Sequence, residues 1–81
     1  MLLCKVTGSV ISTRKNEKLT GCKFLIVEPL LSGAAFVAVD QIGAGIGETV
    51  LVSCGSAARL ASSPSLSNMP VDAAVVGIVD E

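Results

Sequence analysis

Short apolar stretches run through this chain, separated by polar and glycine-containing segments. The first stretch, Leu2–Val10, alternates in the period-2 pattern of a strand with one buried face, made up of Leu2, Cys4, Val6, Gly8 and Val10. Further apolar runs rich in β-branched residues predict four more strands, at Cys22–Glu28, Ala34–Asp40, Glu48–Ser53 and Val71–Val79. Five short strands predict an all-β domain, either a small β-barrel or an open antiparallel sheet, and an up-and-down sandwich is less favoured at this length.

The segments between the strands are mostly polar. Thr13–Gly21 is rich in charged residues and predicts an exposed connection. Gly55–Leu60 is the only helical candidate: Ser56 can cap it, and its two alanines favour a turn or two of helix. Ala61–Pro70 predicts a polar loop that ends at a proline. Pro29 is expected to end the second strand or to place that end at a sheet edge.

A glycine-rich loop separates the third and fourth predicted strands. Gly43, Gly45 and Gly47 occupy every second position, which favours a sharp bend or a close approach between chains. Asp40 and Glu48 bracket this loop. Paired carboxylates can perform acid–base chemistry or bind a metal, but no histidine occurs in the chain. We therefore expect these carboxylates to cap backbone N–H groups or to pair with Lys or Arg.

The sequence lacks the common patterns of nucleotide binding and nucleophilic catalysis. The glycine loop reads G-x-G-x-G and opens a strand, whereas a dinucleotide fingerprint opens a helix and a P-loop continues into G-K-[ST]. Ser56 has no histidine to activate it and does not lie in a G-x-S-x-G motif. We expect no catalytic residue, cofactor or metal ligand, and we expect Asp72 to accept a hydrogen bond in a turn or an interface.

Composition adds an argument for assembly. In 81 residues, 51% are hydrophobic, and adding the 8 glycines raises the share to about 61%, against about 45–50% in ordinary domains. The longest apolar runs are far shorter than the roughly 20 residues of a membrane span, and the N-terminus lacks the pattern of a secretory signal. Because something must cover the surplus apolar surface, we expect contacts with other copies of the chain or with a partner.

Charge and cysteine content narrow the choice of partners further. The net charge is −1 and the only aromatic residues are Phe24 and Phe36, so neither a basic field nor a base-stacking platform for nucleic acid is expected. Cys4, Cys22 and Cys54 are widely spaced and odd in number. This argues against a zinc site or a disulfide framework and predicts reduced, buried thiols in a cytosolic protein.

Nearly the whole chain, in order, resembles the vertex proteins of bacterial microcompartment shells, including the carboxysome and ethanolamine-utilisation subunits. The combination of G-A-G-I-G-E between two strands with a late P-V-D-A-A is the most specific part of the resemblance, and Cys22 is a departure from the family pattern. The motifs that carry it are V-x-G-x-V at Val6–Val10, T-R-K at Thr13–Lys15, L-x-G-x-K at Leu19–Lys23, A-V-D at Ala38–Asp40, G-A-G-I-G-E at Gly43–Glu48, V-L-V at Val50–Val52, G-S-A-A-R at Gly55–Arg59 and P-V-D-A-A-V-V-G-I-V-D at Pro70–Asp80.

The resemblance implies one vertex domain over residues 1–81, built as a five-stranded OB-like β-barrel with one short helix. It also implies a cyclic homopentamer at the five-fold corners of a shell of hexameric proteins in the bacterial cytoplasm. Candidates for the subunit interface or an axial pore are Asp40, Gly43, Ala44, Gly45, Ile46, Gly47, Glu48, Ser56, Arg59, Val71 and Asp72. Candidates for contact with neighbouring shell proteins are Arg14, Lys15 and Lys18. A nucleic-acid-binding OB module and a small enzyme or ligand-binding subunit stay open as alternatives.

Overall fold

The computed structural model describes residues 1–11, 21–55 and 71–80. They form five strands: β1 (Leu2–Val10), β2 (Lys23–Pro29), β3 (Phe36–Asp40), β4 (Thr49–Cys54) and β5 (Ala73–Val79). The strands close into a barrel in the order β1-β2-β3-β5-β4, with β4 returning to β1. The five predicted strands are therefore confirmed, with ends that move by at most two residues, and the closed barrel rules out the open sheet.

One strand pair departs from the antiparallel expectation. β3 and β5 run parallel, with Val39 opposite Ala74 and Asp40 opposite Val75, whereas the other four pairs in the barrel are antiparallel. A parallel pair requires a connection that crosses over rather than a hairpin. Here that connection contains β4. The chain leaves the end of β3, runs through β4 and returns as β5, which lies between β3 and β4 in the barrel.

The barrel interior is filled by small and β-branched side chains. Its buried members come from all five strands and from the loop after β3, and the largest are Leu25, Val6, Val27, Val50, Val52 and Val75. A second cluster of Val39, Val71 and Ala74 covers part of the outer surface. This second cluster explains why the first three residues of β5 are buried in succession, because both faces of the strand are covered there. Val76–Val79 are only half-buried.

The predicted buried face of β1 is correct in the middle of the strand and wrong at its start. Cys4 and Val6 are fully buried, but Leu2 is exposed. The pairing of β1 with β2 shifts register between Val6 and Gly8, but burial still alternates after the shift, with Gly8 and Val10 half-buried. Leu2 pairs with the buried Val52, but it is the first residue of β1 and lies at the end of the barrel, where its side chain remains in water.

The helix predicted at Gly55–Leu60 stays a prediction. Gly55 lies in a turn with a φ of +68°, and residues 56–60 lie outside the described part of the chain. The same holds for most of the predicted Thr13–Gly21 connection and for the Ala61–Pro70 loop. Pro29 is the last residue of β2, as expected.

The three cysteines, all among the described residues, form no disulfide, but they are not all buried as predicted. Cys4 is buried, Cys22 is half-buried and Cys54 is exposed, because Cys54 lies at the end of β4 where the strand leaves the barrel. Burial raises the pKa of the Cys4 thiol above its ordinary value of 9.0, and the thiol of Cys54 adds a smaller rise.

This pKa shift predicts how stability depends on pH. Because the folded state holds the Cys4 proton more tightly than the unfolded chain, the stabilisation is complete below pH 9.0 and declines as the pH rises through the higher folded pKa. The free energy of unfolding from urea titrations should therefore fall more steeply between pH 8 and pH 10 in the unmodified protein than in Cys4→Ala. Equal slopes in the two proteins would contradict the prediction, and Cys54→Ser, as the control, should keep most of the difference.

Candidate functional site

The loop between β3 and β4 is built around the carboxylate of Asp40, the last residue of β3. The Asp40 side chain has no exposed surface. Its Oδ1 accepts from the backbone N–H of Ile42 at 2.9 Å, and its Oδ2 accepts from that of Ala44 at 2.8 Å. The N–H of Gly43 lies 3.2 Å from both oxygens. The prediction that this carboxylate caps backbone N–H groups is confirmed.

Glu48 closes the other side of the same loop. Its Oε1 accepts from the Gly45 N–H at 2.6 Å, and the Glu48 N–H donates to the Gly45 carbonyl at 3.1 Å. The loop is also fastened to β1, because the Gly47 N–H donates to the Val6 carbonyl at 2.8 Å and the Val6 N–H donates to the Glu48 carbonyl at 2.9 Å. Both carboxylates are thus engaged in fixing the loop, and the predicted capping role of Glu48 is confirmed as well.

Two of the three loop glycines are required by the backbone. Gly43 and Gly47 have φ angles of +98° and +94°, a region that side chains with a Cβ rarely adopt. Gly45 does not have a positive φ, and a Cβ built there would meet only the end of the flexible Glu48 side chain, at 3.4 Å. The local fold therefore explains Gly43 and Gly47 but leaves Gly45 without a structural requirement.

Lys23 completes the site, although sequence reasoning gave it no role. It lies opposite Asp40 in the β2–β3 register, and its Nζ donates to the Ala44 carbonyl at 3.0 Å and lies 3.9 Å from Asp40 Oδ2. Ala44 itself belongs to the interior cluster, so the loop closes one end of the barrel. The signal that could have identified Lys23 is its cross-strand pairing with Asp40, which requires knowledge of the strand register.

The chemistry of this site is that of a rigid structural loop. The N–H groups of Ile42, Gly43, Ala44, Gly45 and Gly47 already donate to groups of the same chain. They cannot form a phosphate cradle without breaking those bonds. Among residues 1–11, 21–55 and 71–80, no group of three or more His, Cys, Asp or Glu side chains is placed to hold a metal ion.

The other candidate residues divide into buried, exposed and undescribed positions. The side chains of Asp40, Ala44 and Val71 lie inside their own subunit, whereas Ile46, Glu48 and Asp72 are exposed. The backbone carbonyl of Asp72 accepts from the Gly55 N–H at 2.7 Å, and the role expected for the exposed Asp72 side chain stays a prediction. The remaining candidates lie outside the described residues: Arg14, Lys15, Lys18, Ser56 and Arg59. In the described part of the chain, no helix has the length and apolar character needed to cross a membrane.

Comparison with known proteins decides the family. The family described as "Ethanolamine utilisation protein EutN/carboxysome" matches residues 1–80. This chain belongs to that family. The microcompartment shell vertex protein GrpN of Rhodospirillum rubrum is 52% identical over 85 residues, covering 99% of this chain and 93% of the relative. The carboxysome shell vertex protein CcmL of Thermosynechococcus vestitus is 46% identical, covering 99% of this chain and 84% of the relative.

Solved structures of the EutN/carboxysome family have the same fold as this member. The GrpN pentameric microcompartment shell protein from Rhodospirillum rubrum superposes with a TM-score of 0.87 at 51% identity, over 100% of this chain and 95% of that one. CcmL of a Nostoc species superposes with a TM-score of 0.90 at 43% identity, over 99% and 88% of the two chains. The resemblance to vertex proteins, and the five-stranded barrel that it implied, are confirmed.

Proposed function

We propose that this chain is a structural subunit of a microcompartment shell in the bacterial cytoplasm, where five copies form a ring that closes a five-fold vertex. The observation that carries the proposal is the match, over the full chain at 51% identity, to a shell protein described as pentameric. The chemistry of the site supports a structural role, because Asp40 and Glu48 are committed to backbone N–H groups. The nucleic-acid-binding and enzymatic alternatives have no comparable observation in their favour.

The exposed apolar surface gives this proposal a physical basis. Several large aliphatic side chains are more than 40% exposed in the single subunit, including those at the start of β1, just after β2 and in the glycine loop. A ring requires a head-to-tail contact in which two different patches on each subunit meet. We propose that the glycine loop supplies one of the two patches and that the half-buried outer end of β5 adjoins the contact.

Gly45 offers a direct test of the loop's role in the ring. Gly45→Trp should leave the barrel folded, since a Cβ at this position meets only the flexible Glu48 side chain, but its bulk should prevent a neighbouring subunit from packing against the loop. We expect native mass spectrometry to show a pentamer for the unmodified protein and mainly monomer for Gly45→Trp. Gly45→Ala, the matched control, should stay pentameric. A pentameric Gly45→Trp protein would show that the loop lies outside the contact.

The basic residues of the first connection are proposed to face the neighbouring hexameric shell proteins. Arg14, Lys15 and Lys18 are clustered within five positions of the sequence, and a cluster of like charges favours docking on an acidic neighbour. Reversing all three charges to glutamate should leave the ring intact and reduce the yield of closed shells on co-expression with the hexameric proteins. Closed shells at the normal yield would reject this placement.

A further inference from the structure

An apolar groove lies where the start of β1 meets the end of β2. It has a volume of about 380 Å³, and none of its eight lining side chains is charged. Leu31 is 99% exposed, and Leu2, Leu3 and Leu30 are each about half exposed. The groove is continued on its β4 side by Leu51, which pairs with Leu3. We call Leu2, Leu3, Leu30, Leu31 and Leu51 the leucine groove.

The exposed area of this region is on the scale of a subunit contact. Together with Met1, which is 82% exposed, the groove leaves the equivalent of about three large side chains in water. This corresponds to roughly 500 Å² of apolar surface, against about 800 Å² per partner in a standard interface. A patch of that size, made of leucine and methionine, is typical of a protein–protein contact.

The opposite end of β2 carries an apolar projection of matching chemistry. Ile42 and Ile46 of the glycine loop are 49% and 68% exposed. The backbone that carries them is fixed by Asp40 and Glu48, so little conformational entropy is lost when it docks. The groove follows the last residue of β2, whereas the loop starts after Asp40, which lies opposite Lys23 at the first residue of β2, so the two features lie toward opposite ends of the barrel.

We propose that the Ile46 end of the glycine loop docks into the leucine groove of the next copy of the chain. This inference rests on the proposed ring, since a head-to-tail contact joins two different patches of the same surface. The groove and the projection are both aliphatic, and they lie at opposite ends of one barrel. Each subunit can therefore insert its loop into the groove of one neighbour and bind the loop of the other neighbour in its own groove. The groove is thereby assigned to a second copy rather than to a hexameric shell protein.

The test uses charges placed on both sides of the proposed contact. Leu31→Asp and Ile46→Lys should each remain folded by circular dichroism, because both positions are exposed, and each should shift the native mass from pentamer to monomer. The double variant Leu31→Asp/Ile46→Lys should recover the pentamer, because the introduced charges then face each other between neighbouring subunits. Ile11→Asp is the control: Ile11 is 91% exposed and belongs to neither feature, so this variant should stay pentameric.

The possible results distinguish a failure of this inference from a failure of the proposed function. An unmodified protein that forms no ring overturns the proposed function, and the inference falls with it. A ring that survives both single changes overturns only the inference, as does a double variant that stays monomeric. Intact rings that no longer enter shells would assign the groove to a hexameric neighbour instead. If a charged variant does not fold, Leu31→Ser replaces it, with an expected rise of at least about tenfold in the dissociation constant from the loss of one buried leucine.

Discussion

Asp40→Ala is expected to lower the free energy of unfolding by about 3–5 kcal/mol, because hydrogen bonds to a charged group contribute about 1.5–3 kcal/mol each and several are lost together. The carboxylate is the acceptor for three consecutive backbone N–H groups, from Ile42 to Ala44. Ala44 belongs to the barrel interior, so releasing this segment also opens one end of the core. Urea unfolding at a fixed protein concentration measures the loss.

The control for this prediction is Asp40→Asn. It keeps one oxygen acceptor in place, so we expect it to retain part of the loop's hydrogen bonds and to lose about half as much stability as Asp40→Ala. An alanine variant within about 1 kcal/mol of the unmodified protein would show that the loop does not depend on this carboxylate.

Leu25→Ala is the second change with a large expected effect. Leu25 is 1% exposed and is the largest of the fully buried side chains in the described part of the barrel. Truncating a buried leucine costs about 2–5 kcal/mol, because apolar contacts are lost and the cavity closes only in part. Ordinary domains have a total stability of about 5–15 kcal/mol, and an 81-residue barrel has a small core. This substitution therefore removes a large share of the stability.

Two further variants determine whether the loss comes from the barrel interior. Leu25→Met keeps most of the side-chain volume and should cost less than about 1.5 kcal/mol. Ile11→Ala removes an aliphatic side chain that is 91% exposed, and surface changes of this kind usually stay within about 0.5 kcal/mol. If Leu25→Ala and Ile11→Ala shift the urea midpoint equally, the barrel interior does not have the packing described above.

The strands could be predicted from the sequence because each carries its own pattern of apolar and β-branched residues. Their pairing could not. Nothing within β3 or β5 indicates that these two strands run parallel, because that contact joins Val39 to Ala74 across more than thirty residues of chain. The exposure of Leu2 has the same origin, since it depends on where the start of β1 falls at the end of the closed barrel, opposite Val52.

The candidate site could likewise be predicted only in part. Carboxylates on both sides of a glycine-rich loop indicated capping, because short polar side chains beside a turn accept from nearby N–H groups. Lys23 was missed, since its contact with the Ala44 carbonyl spans 21 positions and depends on the register of β2 and β3. Gly45 is different, because the sequence pattern singled it out although the local fold does not require a glycine there. We propose that assembly of the ring is the reason for it.

The native mass of the purified, unmodified protein over a range of concentrations tests the central claim most directly. A subunit of 8.2 kDa that forms a five-membered ring has a mass of five times 8.2 kDa, about 41 kDa. We expect that species to predominate and to persist on dilution, since five identical contacts close the ring. A single species at 8.2 kDa throughout the range would contradict the account.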